Sequence, residues 1–332
     1  MEYKILFVIV LALTFAAAAV ISRFLIPVLK SKKMGQRILE IGPRWHKSKE
    51  GTPTMGGIAF IIPVILFGVA ASVYLWVRDG DPSSALPLVL TLCLGLFGGL
   101  IGCIDDMAKL RNKRNEGLTA PQKFLLQVLA AALYLIGMRF FCGMNTELYI
   151  PYFKVTFDIG IFYYFFALIL ICGMMNSVNL TDGIDGLASG VTLVVGVFFA
   201  AAGFRAPGTD GGAVVLGGLL IGATAGFLIY NFYPARVFMG DTGSLFLGGL
   251  VVGGAFMLRN PLIVVVAGLV YIIETLSVML QVSYFKLTHG KRLFRMSPIH
   301  HHFEQCGWSE IKIVTVFSAV TLLLCVAAYF GL

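Results

Sequence analysis

Asp105 and Asp106 stand side by side where an apolar, glycine-rich run (Leu88 to Ile104) gives way to a basic stretch of Lys109, Arg111, Lys113 and Arg114. Adjacent carboxylates repel one another, and a divalent cation or a phosphate carrying its own metal relieves that repulsion. A lone Asp there would be read as a helix cap or a solvated helix end. The pair, set beside the motifs downstream, points to a charged ligand.

Four further segments hold the remaining chemistry. His46 to Gly57 puts basic residues, Lys49 among them, ahead of Thr52 and a glycine-rich helix entry, which suits an anion held by free backbone N–H groups. A membrane anchor followed by a turn is the plainer account of the same residues. In Asn176 to Gly186, Asp182 and Asp185 lie three apart and share a face, with Asn179 close by. No calcium-loop spacing is met, so amides and carboxylates for a sugar hydroxyl or a base edge compete with two helix caps. In Tyr230 to Ser244, Asp241 follows Gly240, either as a cap or as a Mg²⁺ ligand, and Phe238 is a base-stacking candidate unless it packs in a core. His300, His301 and His302 cannot all ligate one ion, since neighbouring side chains diverge. They read as phosphate donors, with one as acid–base group or metal ligand. No Walker, HExxH, GxSxG or Cys–His pattern is present, and carboxylates beside cations suit phosphoryl transfer.

These groups must be positioned by membrane helices. The chain has 332 residues, 58% hydrophobic and only 13% charged, with mean hydropathy +0.89, too few charges to cover a soluble surface. The apolar run directly after Lys4 is read as a first span, not a cleaved leader. Four of the cysteines (Cys93, Cys103, Cys172, Cys325) lie within apolar runs and none is in CxxC spacing, against a disulfide framework or a thiolate metal site. Ten spans are predicted, near 5–29, 55–77, 88–104, 121–141, 159–175, 187–203, 212–230, 244–258, 262–284 and 313–331. Cys142 to Phe157, alternating in Tyr, Pro and Phe, reads as a hairpin. The loops after odd-numbered spans hold eighteen of the 25 lysines and arginines, which puts those loops in the cytoplasm and both termini outside. The expected fold is therefore an all-α integral membrane protein, one polytopic domain over 1–332. Its cytoplasmic loops fall near 30–54, 105–121, 176–187, 231–244 and 285–312, and its active site faces the cytoplasm. Basic residues scattered over loops exclude a nucleic-acid module, and the net charge of +8 suits anionic lipid and phosphorylated ligands.

GTPTMGG (51–57), Asp105-Asp106, NLTDGIDGL (179–187), FMGDTGS (238–244) and SPIHHHFE (297–304) together resemble the polyprenyl-phosphate N-acetylhexosamine-1-phosphate transferases. The resemblance runs from about residue 30 to 305, and GTPTMGG with the histidine triplet after Ser-Pro favours the muramoyl-pentapeptide branch over the N-acetylglucosamine branch. It implies a multi-pass homodimer of the bacterial cell membrane. The implied reaction joins UDP-MurNAc-pentapeptide to undecaprenyl phosphate, giving lipid I and UMP with Mg²⁺. By the same resemblance Asp241 is the Mg²⁺ ligand and Asp105 the base, with Asp106 and His300 completing the catalytic group. Substrate contacts fall to Lys49, Thr52, Lys123, Asn179, Asp182, Asp185, Asn231, Phe238, Gln281, His301 and His302. Direct attack by the lipid phosphate is expected, because a metal-bound carboxylate is a poor nucleophile. Two rivals stand: a GlcNAc-1-phosphate transferase, and a secondary transporter using Glu274, Ser277 and Gln281 on one face of the ninth span. Motifs that do not repeat between halves, and acids gathered at one interface, count against transport.

Overall fold

A computed structural model describes residues 2–32, 34, 49–112, 117–205 and 211–332. His46, Lys113 and Arg114 lie outside the described residues. Among the described residues, ten helices are long and apolar enough to cross a membrane. They are α1 (Glu2–Ser31), α2 (Ile58–Asp79), α3 (Leu86–Asn112), α4 (Ala120–Phe141), α5 (Phe162–Thr181), α6 (Leu187–Arg205), α7 (Gly211–Asn231), α8 (Gly240–Met257), α10 (Leu269–Leu287) and α12 (Glu310–Gly331). Two short helices, α9 (Ile263–Ala267) and α11 (Ile299–Gln305), a 3-10 turn at Pro82–Ser84 and a hairpin of β1 (Glu147–Ile150) and β2 (Val155–Asp158), paired antiparallel between α4 and α5, are also described.

Helix α8 is the axis of the bundle: every residue from Thr242 to Met257 is buried. A helix apolar on all sides belongs in such a position, and its glycines let neighbours close in on several faces. Gly248 meets the α5 backbone at Met175, Gly249 meets Gly95 of α3, and Gly254 takes Phe199 of α6 and Leu216 of α7.

Several helix ends depart from the hydropathy boundaries. The apolar run ending at Ile104 continues as helix to Asn112, because Asp105 and Lys109 form an i,i+4 pair (2.7 Å) that extends α3 into polar sequence. Likewise α5 carries Asn176 to Thr181 on its last turns, and α8 begins at Gly240, so Asp241 lies in its first turn. The ninth apolar run breaks at Gly268, whose N–H closes α9 on the Val264 carbonyl (2.7 Å) before α10 starts.

Both termini sit at the hairpin end of the bundle. Arg78, at the close of α2, stacks on Tyr3, and Gly331 abuts Tyr152 in the hairpin turn. The C-terminal ends of α3 and α5 and the N-terminal ends of α4, α8 and α12 gather at the other end.

Candidate functional site

Gly95, Gly98 and Gly102 form a stripe on α3 that lies against the α8 backbone. A Cβ on Gly98 would stand 2.5 Å from the Leu245 carbonyl oxygen, and one on Gly102 would overlap that of Asp241. One further turn along the same helix brings Asp105 and Asp106 to the start of α8. Asp106 accepts hydrogen bonds from the Asp241 N–H (3.2 Å), the Thr242 N–H (3.0 Å) and the Thr242 hydroxyl (2.7 Å). It caps α8 from a neighbouring helix, which leaves the Asp241 side chain free of that duty.

The approach to α8 is held by a second chain segment. Phe238 N–H donates to the Pro53 carbonyl (2.8 Å), and Gly56 N–H donates back to the Phe238 carbonyl (2.8 Å). Gly57 N–H reaches Met239 (3.0 Å), so the 51–57 and 238–244 motifs are stitched through their backbones. Gly240, at φ +70°, makes the turn into α8 in a conformation that favours glycine. A side chain there would also meet Asp106 Oδ2 at 2.5 Å and Thr54 Oγ1 at 2.7 Å.

Asp105, Asp106 and Asp241 each present an oxygen within 4.8 Å of the others. The first two are buried and Asp241 is partly exposed. Two lysines answer the charge. Lys109 Nζ lies 2.7 Å from Asp105 Oδ2 and 2.9 Å from Asp241 Oδ2, while Lys123, at the start of α4, lies 2.7 Å from the same Asp241 oxygen. Asn179 donates to Asp241 Oδ1 (2.9 Å) and to Ser244 Oγ (2.8 Å) and accepts from Lys123 (3.2 Å). Leu118 N–H closes on Asp105 Oδ1 (2.8 Å). Five residues singled out from the sequence thus converge.

A second group forms around Lys49, whose ammonium pairs with Asp185 Oδ1 (2.7 Å) and Glu310 Oε2 (2.6 Å) and lies 5.9 Å from the Tyr233 ring centroid. Asp185 also takes the Ala235 N–H (2.8 Å), tying this group to the loop before α8. Asp182, next to it in the 182–186 turn, is pushed well above the usual carboxylate range, first by burial and then by the negative charges of Asp241, Asp106 and Asp185. His300 is fully buried and its Nδ1 lies 3.0 Å from Glu274 Oε2. A Cβ on Gly183 would overlap His300 Nε2, so that nitrogen touches the 182–186 turn.

Other expected contacts have local partners. Asn231 is buried, donating to the Val237 carbonyl (3.0 Å) and accepting from Ser189 (3.1 Å), which shapes the 231–237 loop. Gln281 accepts from Leu293 N–H (3.1 Å) and Phe294 N–H (2.9 Å). His301 pairs with Glu304 (2.6 Å), and His302 Nδ1 accepts from Arg295 N–H (3.1 Å). Thr52 and Phe238 are partly exposed on the stitched segment. Sequence reasoning gave no site role to Thr242, Ser244 or Glu310, counted Lys109 only in a basic stretch and gave Glu274 only to a rival transport path. Lys109 had a readable signal, its i,i+4 spacing from Asp105, whereas Glu310 meets Lys49 across 261 positions and gave none.

An all-oxygen set of three carboxylates suits a hard divalent cation, and adjacent ammonium groups suit phosphate oxygens. Comparison with known proteins agrees with such chemistry. Residues 88–259 match the family model for glycosyl transferase family 4, and residues 49–61 match signature 1 of the phospho-N-acetylmuramoyl-pentapeptide-transferases. A phospho-N-acetylmuramoyl-pentapeptide-transferase of Clostridium botulinum (strain Eklund 17B / Type B) is 44% identical over 323 residues, 97% of this chain and 95% of its own. Proteins of the same name from Clostridium beijerinckii and Heliobacterium modesticaldum are 45% and 46% identical, over 97% and 95% of this chain and 95% and 94% of theirs.

Proposed function

The chain belongs to the phospho-N-acetylmuramoyl-pentapeptide-transferase family, phospho-sugar transferases of peptidoglycan synthesis, and on that premise we propose how its residues carry out the transfer. The substrates are UDP-MurNAc-pentapeptide and undecaprenyl phosphate, and the products are lipid I and UMP. The observation that carries this reading is the meeting of Asp105, Asp106 and Asp241 with Lys109, Lys123 and Asn179 at one end of the bundle.

Asp105 takes the proton of the lipid phosphate, whose second pKa is near 6. Its Oδ2 faces Lys109, so proton removal exchanges one ionic partner for another. An oxygen of the lipid phosphate then attacks the sugar-bearing phosphorus of the diphosphate. The bond from that phosphorus to the bridging oxygen breaks, and UMP leaves with the electron pair. Lys109 and Lys123 hold phosphate oxygens through the charge rearrangement. Asp106 keeps α8 in place, so that Asp241 stays directed at the reacting groups. Asp241, with Asp105 and Asp106 beside it, would hold Mg²⁺, which when bound supplies charge neutralisation for the diphosphate. Lys49, Asp185, Asp182 and Phe238 lie on the segments that would receive the uridine, and His300 to His302 those that would receive phosphate or sugar. Lysine and arginine asymmetry supports a cytoplasmic position for the site in the bacterial cell membrane, with both termini outside. A homodimer belongs to the same reading.

The test uses the full chain in detergent with undecaprenyl phosphate, Mg²⁺ and radiolabelled UDP-MurNAc-pentapeptide, with UDP-GlcNAc in parallel. Labelled lipid and UMP are expected from the muramoyl substrate alone. Asp241→Asn should lower the rate by at least about 10²–10³-fold. Label from UDP-GlcNAc instead would move the chain to the N-acetylglucosamine reaction, and label from neither would overturn the reading.

A further inference from the structure

Glu274 sits on α10 with none of its surface exposed, among the membrane-spanning residues. A carboxylate at that depth persists only when paired. Its partner is His300: Nδ1 lies 3.0 Å from Glu274 Oε2, and the His300 backbone N–H points to the same oxygen at 3.4 Å. Polar neighbours on α10 are engaged elsewhere. Ser277 donates to the Glu274 carbonyl (2.7 Å), Thr275 shares a hydroxyl bond with Ser177 of α5 (2.8 Å), and Gln281 holds the 293–294 backbone. The polar face that suggested a transport path is thus divided into local bonds.

We propose that Glu274 is the positioning residue of His300, fixing its ring by the Nδ1 bond so that Nε2 is the nitrogen presented to the transferred phospho-sugar. The carboxylate accepts from Nδ1–H, which sets the proton on that nitrogen and leaves Nε2 as the working atom. Two observations direct Nε2 outward from the pair. It is buried without a hydrogen-bond partner among the described residues, and it lies against Gly183, where any Cβ would overlap it. Gly183 stands between Asp182 and Asp185 and has an exposed surface, so the ring meets that turn at a position with no side chain. The inference rests on the reading of His300 as part of the transfer site.

Its test compares Glu274→Gln, Glu274→Asp, His300→Ala, Gly183→Ala and the Glu274→Gln/His300→Ala double variant in the transferase assay. Glu274→Gln should lower kcat by about 10–100-fold with KM for the nucleotide substrate little changed, and Glu274→Asp should recover part of the loss. In the His300→Ala background Glu274→Gln should cost nothing further, because it acts only through that ring. Gly183→Ala should reproduce the His300→Ala loss in a chain that still unfolds cooperatively, and it decides the matter if the Glu274 variants fail to fold. Wild-type kcat in Glu274→Gln or in Gly183→Ala, or losses that multiply in the double variant, would overturn the proposal. Solid-state NMR of the ¹⁵N-histidine protein separates this failure from failure of the transferase reading. Whether or not the chain transfers phospho-sugar, His300 should carry its proton on Nδ1 in the wild type and distribute it over both nitrogens in Glu274→Gln. A ring protonated on Nε2 alone in the wild type would overturn the proposal by itself.

Discussion

At Asp105, Asp106 and Asp241 negative charge is answered atom by atom, by two lysine ammoniums, an asparagine amide and the backbone N–H groups of Leu118, Asp241 and Thr242. At Glu274 and His300 one carboxylate oxygen takes both the ring Nδ1 and the backbone N–H, and Glu274 Oε1 and His300 Nε2 are buried with no partner among the described residues. The first region is complete within the protein and is fixed by contact between two helix backbones. The second is fixed through one carboxylate oxygen and keeps an unsatisfied ring nitrogen, Nε2, against the 182–186 turn. Charge compensation and backbone fit therefore make the carboxylate site a structural element of the bundle, whereas the histidine is held by one buried carboxylate and presents a nitrogen that nothing in the described residues satisfies.

The sharpest way to break that contrast is Gly102→Ala. The added methyl lies between two backbones, with no side chain free to rotate away, so α3 and α8 must part. A loss of at least about 1–3 kcal/mol is expected from overpacking, read as a lower Tm in detergent together with lost transfer. A wild-type Tm would show that the helix contact is not what holds the carboxylates. Set beside Gly183→Ala, which meets only a ring, the pair distinguishes architecture from presentation.

A smaller effect is expected at Asp106. Asp106→Ala strips the cap from α8 and should cost about 0.5–2 kcal/mol in thermal unfolding. Asp106→Asn keeps an acceptor oxygen and should recover part of that stability while activity stays low. Equal destabilisation by both variants would mean that charge, not capping, is what Asp106 contributes.

The smallest effect concerns Asp182, whose carboxyl is raised in the folded chain by burial and by its acidic neighbours. Folding then takes up a proton between the ordinary carboxylate pKa, about 3.9, and the raised one. The stabilising contribution is full below the lower value and falls as pH rises through the window. Asp182→Asn should flatten this decline in a Tm series across pH. Parallel curves for the two proteins would remove Asp182 from the acid network.

Much of this was legible in the sequence, and what was not has physical reasons. Apolar runs of spanning length gave ten helices, because bilayer thickness sets length directly. Their polar ends were misjudged, since hydropathy stops at Asp105 and Asn176 while helical hydrogen bonding continues to Asn112 and Thr181. The Gly268 break was invisible because glycines are common throughout these spans. In the site, Asp105, Asp106, Asp241 and Asn179 announced themselves by being polar beside apolar runs, whereas Lys123 was implied by the family resemblance. Asn231 and Gln281 were implied by the same resemblance, yet their side chains are bound to nearby backbone. Glu274 and Glu310 were underrated, because a buried carboxylate is understood only once its distant partner is known.

The link from Lys49 to Asp185 and Glu310 also has a consequence for how the chain is made. Lys49 leaves the ribosome early and Glu310 opens the last helix, 261 positions later. The acidic centre draws only on α3 and α8, whereas Lys49 needs Glu310 of α12 for the second of its two carboxylates. Glu310 of α12 therefore closes that corner of the site, and a chain cut before α12 would keep Asp105, Asp106 and Asp241 but leave Lys49 with Asp185 alone.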